Sequence, residues 1–241
     1  MPTKTLVIIP TYNEIENIES IITYVFSLPN PFHILIVDDN SPDGTATAVK
    51  KLMETYPEQL FLEVRTKKAG LGTAYVHGFR WALEKKYDYI FEMDADFSHN
   101  PTDLIRLQTA CENGAAMAVG SRYSNGVNVV NWPLSRVLLS FFASKYVQFI
   151  TGMKIHDATA GFVCYERKTL EIINLDKIKF VGYAFQIEMK YRVYAKNLKI
   201  VEVPIIFTDR AKGQSKMSSA IIKEAIFGVI SLKIKSIFNR L

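Results

Sequence analysis

The sequence predicts an α/β domain built on a mostly parallel, doubly wound sheet. Two observations carry that prediction. Short β-branched apolar runs alternate with helical periodicity at the spacing of βαβ units, and polar clusters follow the ends of the runs. A third observation bounds the size. The 241 residues, 49% apolar and 22% charged, suffice for one generous domain whose core needs no metal or disulfide staple.

The elements follow in order. Thr5–Ile9, TLVII, is a continuous apolar run suited to a strand buried on both faces. Pro10 to Glu14 break it, and a helix of about a dozen residues follows, with Ile18, Ile21, Ile22 and Val25 on one face. His33–Val37 is the second strand and ends in Asp38-Asp39-Asn40-Ser41-Pro42-Asp43-Gly44, before a helix through Tyr56. Phe61–Arg65 is the third strand. The basic loop Lys67-Lys68-Ala69-Gly70-Leu71-Gly72 then leads into a helix from Thr73 to Lys86. Tyr89–Met93 is the fourth strand, with Asp94 and Asp96 at its end. A helix over Pro101–Asn113 stops near Gly114, and a fifth strand, Ala116–Gly120, runs into Ser121-Arg122-Tyr123.

The second half reads differently. Trp132–Ile150 is helical but apolar nearly all round, with Arg136 and Lys145 as its only charges. It is either a core helix or an interfacial helix that meets lipid. Asp157–Tyr165 is a loop entering a strand. Ala184–Ala195 is a helix with Glu188 inside its apolar face, and Lys199–Phe207 is a strand followed by a cationic loop through Lys216. Residues 218–241 form a basic amphipathic helix, suited to a membrane surface or to packing on the domain. No run reaches about 18 uninterrupted apolar residues, so no spanning helix is expected. The start lacks the features of a signal peptide. Cys111 and Cys164 have no metal-ligand spacing and read as reduced, idle thiols. A net charge of +5 favours anionic partners. The cations are dispersed and no groove-reading motif occurs, which argues against nucleic acid.

In open α/β sheets ligands bind at the carboxyl ends of the strands, so the clusters after strands one, two, four and five converge on one cleft. Its centre is Phe91–His99, FEMDADFSH. An i, i+2 pair in extended backbone points both carboxylates to one face. Two hard oxygen donors there suit Mg²⁺ or Mn²⁺, above all if phosphate oxygens complete the shell. The competing reading is a turn, or a cap for the helix after Pro101. Asp39 is placed to accept from a ribose or a base edge, while Asp38 can cap the next helix. Neither a glycine-rich dinucleotide fingerprint nor a P-loop is present. A nucleotide diphosphate would therefore be held through the cation, with Arg122, Arg210 and Lys216 sharing its charge.

Taken together, Ile8-Ile9-Pro10-Thr11-Tyr12-Asn13-Glu14, Val37 to Thr45, Met93 to His99 and Gly120-Ser121-Arg122-Tyr123 resemble family-two glycosyltransferases. Asn131-Trp132-Pro133-x-x-Arg136 and Arg210-x-x-Gly213-x-Ser215-Lys216 narrow the resemblance to dolichyl-phosphate (polyprenyl-phosphate) mannosyltransferase catalytic subunits. The likeness runs in order from about residue 5 to 217. It implies a Rossmann-like A-type glycosyltransferase fold, with a catalytic domain over 1–217 and the amphipathic helix over 218–241. It also implies GDP-mannose as donor, with Mg²⁺ or Mn²⁺, and a polyprenyl phosphate as acceptor. Carried over by position, Pro10, Tyr12, Glu14, Val37 and Asp39 contact the guanosine part. Asp94, Ala95 and Asp96 hold the diphosphate through the metal. Arg122, Arg210 and Lys216 complete the donor site, and Arg136 meets the acceptor phosphate. Asp96, Arg122 and Arg136 form the catalytic set. Some relatives carry Gln where this chain has Ser98, so position 98 is left out of the metal set. Many polyprenyl-linked relatives continue into transmembrane helices. This chain resembles the shorter group, which implies attachment to the cytoplasmic face of a membrane by its own helices or through a partner subunit.

A lipid phosphate is already anionic near pH 7, so such a transfer needs no general base. His99 is a candidate base, but orienting the loop or touching phosphate fits it better. His156 and Asp157 are candidates for the acceptor side. Two alternatives remain: a UDP-sugar-dependent transferase, and a non-catalytic nucleotide-sugar-binding module, against which the full set of carboxylates and cations argues.

Overall fold

Alternation decides the layers. In β1 (Thr5–Thr11), Leu6 and Ile8 face one helical layer while Val7 and Ile9 face the other, and all four are fully buried. The structure, a computed structural model, describes residues 3–182, 184–209 and 219–238. β1 pairs in parallel with β2 (Phe32–Asp38) on one side and β4 (Tyr89–Glu92) on the other, and β3 (Leu60–Val64) adds beyond β2. One layer holds α1 (Ile18–Phe26), α2 (Thr45–Thr55) and α4 (Asp103–Glu112). The other holds α3 (Leu71–Glu84), α6 (Arg167–Ile172) and α7 (Ala184–Ala195). Gly78 lets α3 lie close on the sheet, since a Cβ there would come within 2.8 Å of the Ile8 side chain.

The sheet is mostly parallel, as predicted, with one exception. Between β4 and β5 (Met117–Ser121) lies β7 (Val163–Glu166), antiparallel to both. β8 (Ile200–Pro204) closes the edge beside β5, giving the order β3-β2-β1-β4-β7-β5-β8. The single strand expected over Lys199–Phe207 is split. Past Pro204 the chain leaves the sheet, and β9 (Phe207–Thr208) pairs with β6 (Val129–Val130) in a separate two-stranded sheet.

Pro10 does not break β1. It pairs in register with Val37 of β2, while the partner strand β4 reaches only as far as Ile8. β1 is an edge on that side beyond Ile8, where a missing N–H costs no ladder bond. α1 starts at Ile18, later than expected, because Glu14–Asn17 form a turn.

α5 (Leu134–Thr151) is not a core helix. Only Ser144, Val147 and Thr151 are buried, while Phe142 is 62% and Phe149 86% exposed. It packs with α8 (Ser219–Ile237) and α7 in a small third cluster that includes Val147, Ile187, Tyr191, Val229 and Leu232. α8 leaves Phe227, Ile230 and Ile234 exposed, and Phe238 just past its end is exposed too.

Candidate active site

The loops after β1 and β2 are tied into one wall. Buried Asp38 accepts from Thr11 Oγ1 (2.8 Å), Ser41 N (2.8 Å) and Ser41 Oγ (2.6 Å). It braces the two strand ends instead of capping α2. That task falls to Asp43, which accepts from Thr45 N and Oγ1 and from Ile15 N. Asn13 N donates to Ser41 Oγ and Glu14 N to Thr45 Oγ1. Pro10, Tyr12, Glu14 and Asp39 thus share one rim, whereas the Val37 side chain, expected from sequence at the nucleoside, is fully buried in the core with Leu6, Ile8 and Leu35. Lys68 Nζ sits 4.4 Å over the Tyr12 ring. Asp39 is 7% exposed and has a cationic partner. Arg65, just past β3, places Nε and Nη2 each 2.6 Å from Asp39 Oδ1, with Nε aligned as the hydrogen bond.

Asp94 and Asp96 lie past β4, not on extended backbone. Residues 95–99 bend, Phe97 takes φ 57°, and Asp96 Oδ1 accepts from Ser98 N at 3.1 Å. The turn reading holds, and it leaves the metal reading open, since both carboxylates lie on the turn. Asp94 is half-buried and Asp96 and Ala95 are buried. Among the described residues no group of three or more metal-ligating side chains occurs, so two carboxylates are what the chain offers here. Such a pair fits a hard divalent ion that takes its remaining ligands from phosphate and water. Beneath them Tyr75 Oη lacks an aligned hydrogen bond; burial, then the Asp94 charge, push its phenol well above the usual range.

His99 stacks on Phe162 at 4.8 Å, and its Nδ1 accepts from Asp94 N at 3.5 Å. Burial lowers its pKa to about 4, which leaves a neutral ring of little use as a base at pH 7. It orients the turn.

Arg122 follows β5. Its Nε and Nη2 donate to the two oxygens of fully buried Asp157 at 2.7 and 2.6 Å, its backbone N adds a third bond, and Nη2 also reaches Thr159 Oγ1. Burial alone would raise the Asp157 carboxyl, but Arg122 reverses this and holds it below the usual range. Glu202 of β8 fixes the same loop by accepting from His156 N, His156 Nδ1 and Asp157 N. His156 and Asp157 therefore build the support of the site. The Arg122 guanidinium lies 5.3–5.5 Å from the rings of Tyr123, Trp132 and Phe207. Arg136, at the start of α5, sits 4.1 Å over the Trp132 ring and pairs with Asp209 at 2.9 Å. Thr208 N donates to Ser98 O and Phe207 contacts His99, so the arginine cluster adjoins the aspartate turn. Arg210 and Lys216 fall outside the described residues.

A model of glycosyl transferase family 2 matches residues 6–173. A polyprenol monophosphomannose synthase of Mycolicibacterium smegmatis is 46% identical over 237 residues, covering 98% of this chain and 89% of that protein. The chain belongs to glycosyl transferase family 2. An undecaprenyl-phosphate mannosyltransferase of Micrococcus luteus is 43% identical, covering 94% of this chain and 92% of the relative. Two solved structures share the fold. Glucosyl-3-phosphoglycerate synthase of Mycobacterium tuberculosis with Mn²⁺, UDP-glucose and phosphoglyceric acid gives a TM-score of 0.68 at 15% identity, covering 97% of this chain and 79% of that one. The mannosyltransferase PcManGT of Pyrobaculum calidifontis with GDP-Man and Mn²⁺ gives 0.58 at 16% identity, covering 100% and 72%.

In this glycosyltransferase, sequence reading missed the supports of the site: Arg65, Thr159, Glu202 and a buried cluster below β4. There Glu92 accepts from Tyr165 Oη (2.7 Å) and from Gln186 Nε2, and burial raises its pKa to about 7. Nearby Lys190, lowered to about 8 chiefly by burial, donates to Ala160 O at 2.6 Å. Charged residues inside apolar segments were the signal available for this cluster.

Proposed function

We propose that this protein transfers mannose from GDP-mannose to a polyprenyl (dolichyl) phosphate with inversion, giving polyprenyl-phosphate-mannose. The observation that carries the reading is a cationic subsite, Arg122 and Arg136 around Trp132, beside a separate carboxylate turn. A donor diphosphate needs the turn, and a second anion suits the arginines. The names of the two close relatives agree with a lipid-phosphate acceptor and a mannosyl product.

Pro10, Tyr12, Glu14 and Asp39 would line the nucleoside, and Val37, whose side chain is buried in the core, could contribute only its backbone. Asp94 and Asp96, with the Ala95 backbone between them, would hold Mg²⁺ or Mn²⁺. Bound there, the ion supplies positive charge to the diphosphate. Arg210 and Lys216 are assigned to the donor on sequence alone. Arg122, expected from sequence to complete the donor site, is reassigned to the acceptor side because it shares the Trp132 ring with Arg136. The two bring in the acceptor phosphate, whose oxygen attacks the anomeric carbon from the face opposite the diphosphate. The bond between that carbon and the β-phosphate oxygen breaks, and GDP leaves with the electron pair. No proton moves, so the site needs positioning and fixed charge rather than a base.

No helix among the described residues is long and apolar enough to cross a membrane. The exposed Leu134, Phe142 and Phe149 of α5, Phe227 and Ile234 of α8, and Phe238 just past it instead suit a surface that lies in the headgroup layer, with Lys145 beside them. The protein would sit peripherally on the cytoplasmic face, by these helices or with a membrane partner subunit.

A thermal-shift panel tests the donor. GDP-mannose with Mg²⁺ or Mn²⁺ should raise the melting temperature more than UDP-glucose does. Stabilisation by UDP but not by GDP would overturn the assignment.

A further inference from the structure

Three buried side-chain donors, Tyr123 Oη, Ser124 Oγ and Trp132 Nε1, have no hydrogen-bond partner among the described residues. Buried donors are normally satisfied, so an orphan calls for a ligand or another physical cause. Tyr123 lies against Arg122, and Trp132 lies against both arginines of the site. Arg122 Cζ is 5.4 Å from the Trp132 ring centre and 5.3 Å from that of Tyr123, itself 5% exposed. Arg136 Cζ is 4.1 Å from the same Trp132 ring. One indole thus contacts two guanidiniums that would otherwise repel, each anchored from outside by a carboxylate, Asp157 or Asp209. Phe207 packs edge-on against this ring at 5.1 Å and edge-on against His99 at 5.3 Å, which keeps the indole in fixed relation to the aspartate turn.

We propose that Trp132 is an acceptor-side binding and positioning residue: its ring holds Arg122 and Arg136 as one subsite, and its Nε1–H donates to the phosphate monoester bound there. The proposal rests on the acceptor being a lipid phosphate, as argued above. Tryptophan alone among aromatic side chains combines a strong cation-binding face with an N–H donor that cannot ionise. Phenylalanine keeps a weaker face and loses the donor, and leucine loses both. The two substitutions therefore separate the two roles.

The chain has two tryptophans, and the other, Trp81, packs on Phe61 and Tyr87 away from the arginines. Trp81→Phe leaves Trp132 as the sole indole reporter. Titrating that variant with farnesyl phosphate should change Trp132 emission saturably, inorganic phosphate should do so more weakly, and farnesol should not. No change, or an equal change with farnesol, overturns the proposal whether or not mannose is transferred. Turnover supplies the second arm. Trp132→Phe should raise the acceptor KM on the order of tenfold, the effect of one hydrogen bond to a charged group, with the GDP-mannose KM unchanged. Trp132→Leu should lose more and show a reduced kcat. Wild-type kinetics in both variants, or equal shifts in both KM values, would overturn it. A phosphate-dependent emission change in a protein that transfers no mannose would leave this subsite standing and remove the reading it was built on.

Discussion

Asp157→Ala tests how the site is held together. The carboxylate is fully buried and takes three hydrogen bonds from Arg122, whose own side chain is 9% exposed. Removing it leaves a buried guanidinium without its counter-charge, a loss of about 3–5 kcal/mol. At about 2–4 °C per kcal/mol for a chain of this size, the melting temperature should fall by about 6–20 °C. The pH dependence has a definite sign. Arg122 holds the folded pKa of Asp157 below its ordinary 3.8, so the stabilisation is present above that value and lost as pH falls through the folded pKa. The gap between wild type and variant, measured by urea unfolding, should be constant from pH 8 to pH 5 and close only below about pH 3.8. Turnover should also collapse in the surviving folded fraction, because Arg122 loses its orientation. A variant that melts with the wild type, or a gap that closes near neutrality, would refute this reading of the pair.

Other outcomes can be measured directly. Asp96→Ala should lower metal-dependent turnover by about two orders of magnitude or more while the melting curve without nucleotide stays within a few degrees; full activity would remove the metal role. Phe142→Glu with Phe149→Glu should abolish cosedimentation with anionic vesicles and leave GDP-mannose affinity intact; unchanged sedimentation would refute α5 as the membrane face. Between pH 4.5 and 7 the unfolded Glu92 ionises while the folded, buried carboxyl keeps its proton, so this residue lowers stability as pH rises through that window. Urea unfolding of Glu92→Gln against wild type at pH 5, 6 and 7 should show the wild type losing ground by on the order of 1–3 kcal/mol, at 1.36 kcal/mol per pKa unit. A difference independent of pH would contradict the burial argument.

The first five strands were legible because each is a short, mostly apolar run of strand length, and the strand-end clusters pointed to the candidate site. The strand after the Asp157 loop was expected, but not its place in the sheet. Val163–Glu166 is four residues long, and its insertion between β4 and β5 is a long-range pairing that no local period encodes. The same limit hid the ion pairs. Asp39 meets Arg65 and Arg122 meets Asp157 across 26 and 35 residues, so the candidate residues were visible but their supports were not. For α5 the composition allowed two readings, because a helix apolar all round suits a core and a lipid interface alike. The exposure of Phe142 and Phe149 excludes the core reading. The Asp94–Asp96 pair shows a third case, in which the turn reading holds and is compatible with the metal reading it was set against.

The most direct test is an incubation of the protein with GDP-[¹⁴C]mannose, Mg²⁺ or Mn²⁺, and a polyprenyl phosphate, followed by organic extraction. Lipid-extractable label is expected. It should depend on the phosphate, be absent with the free prenol, and carry mannose inverted at the anomeric carbon. No extractable product with any prenyl chain length, or transfer to a hydroxyl acceptor instead, would contradict the account.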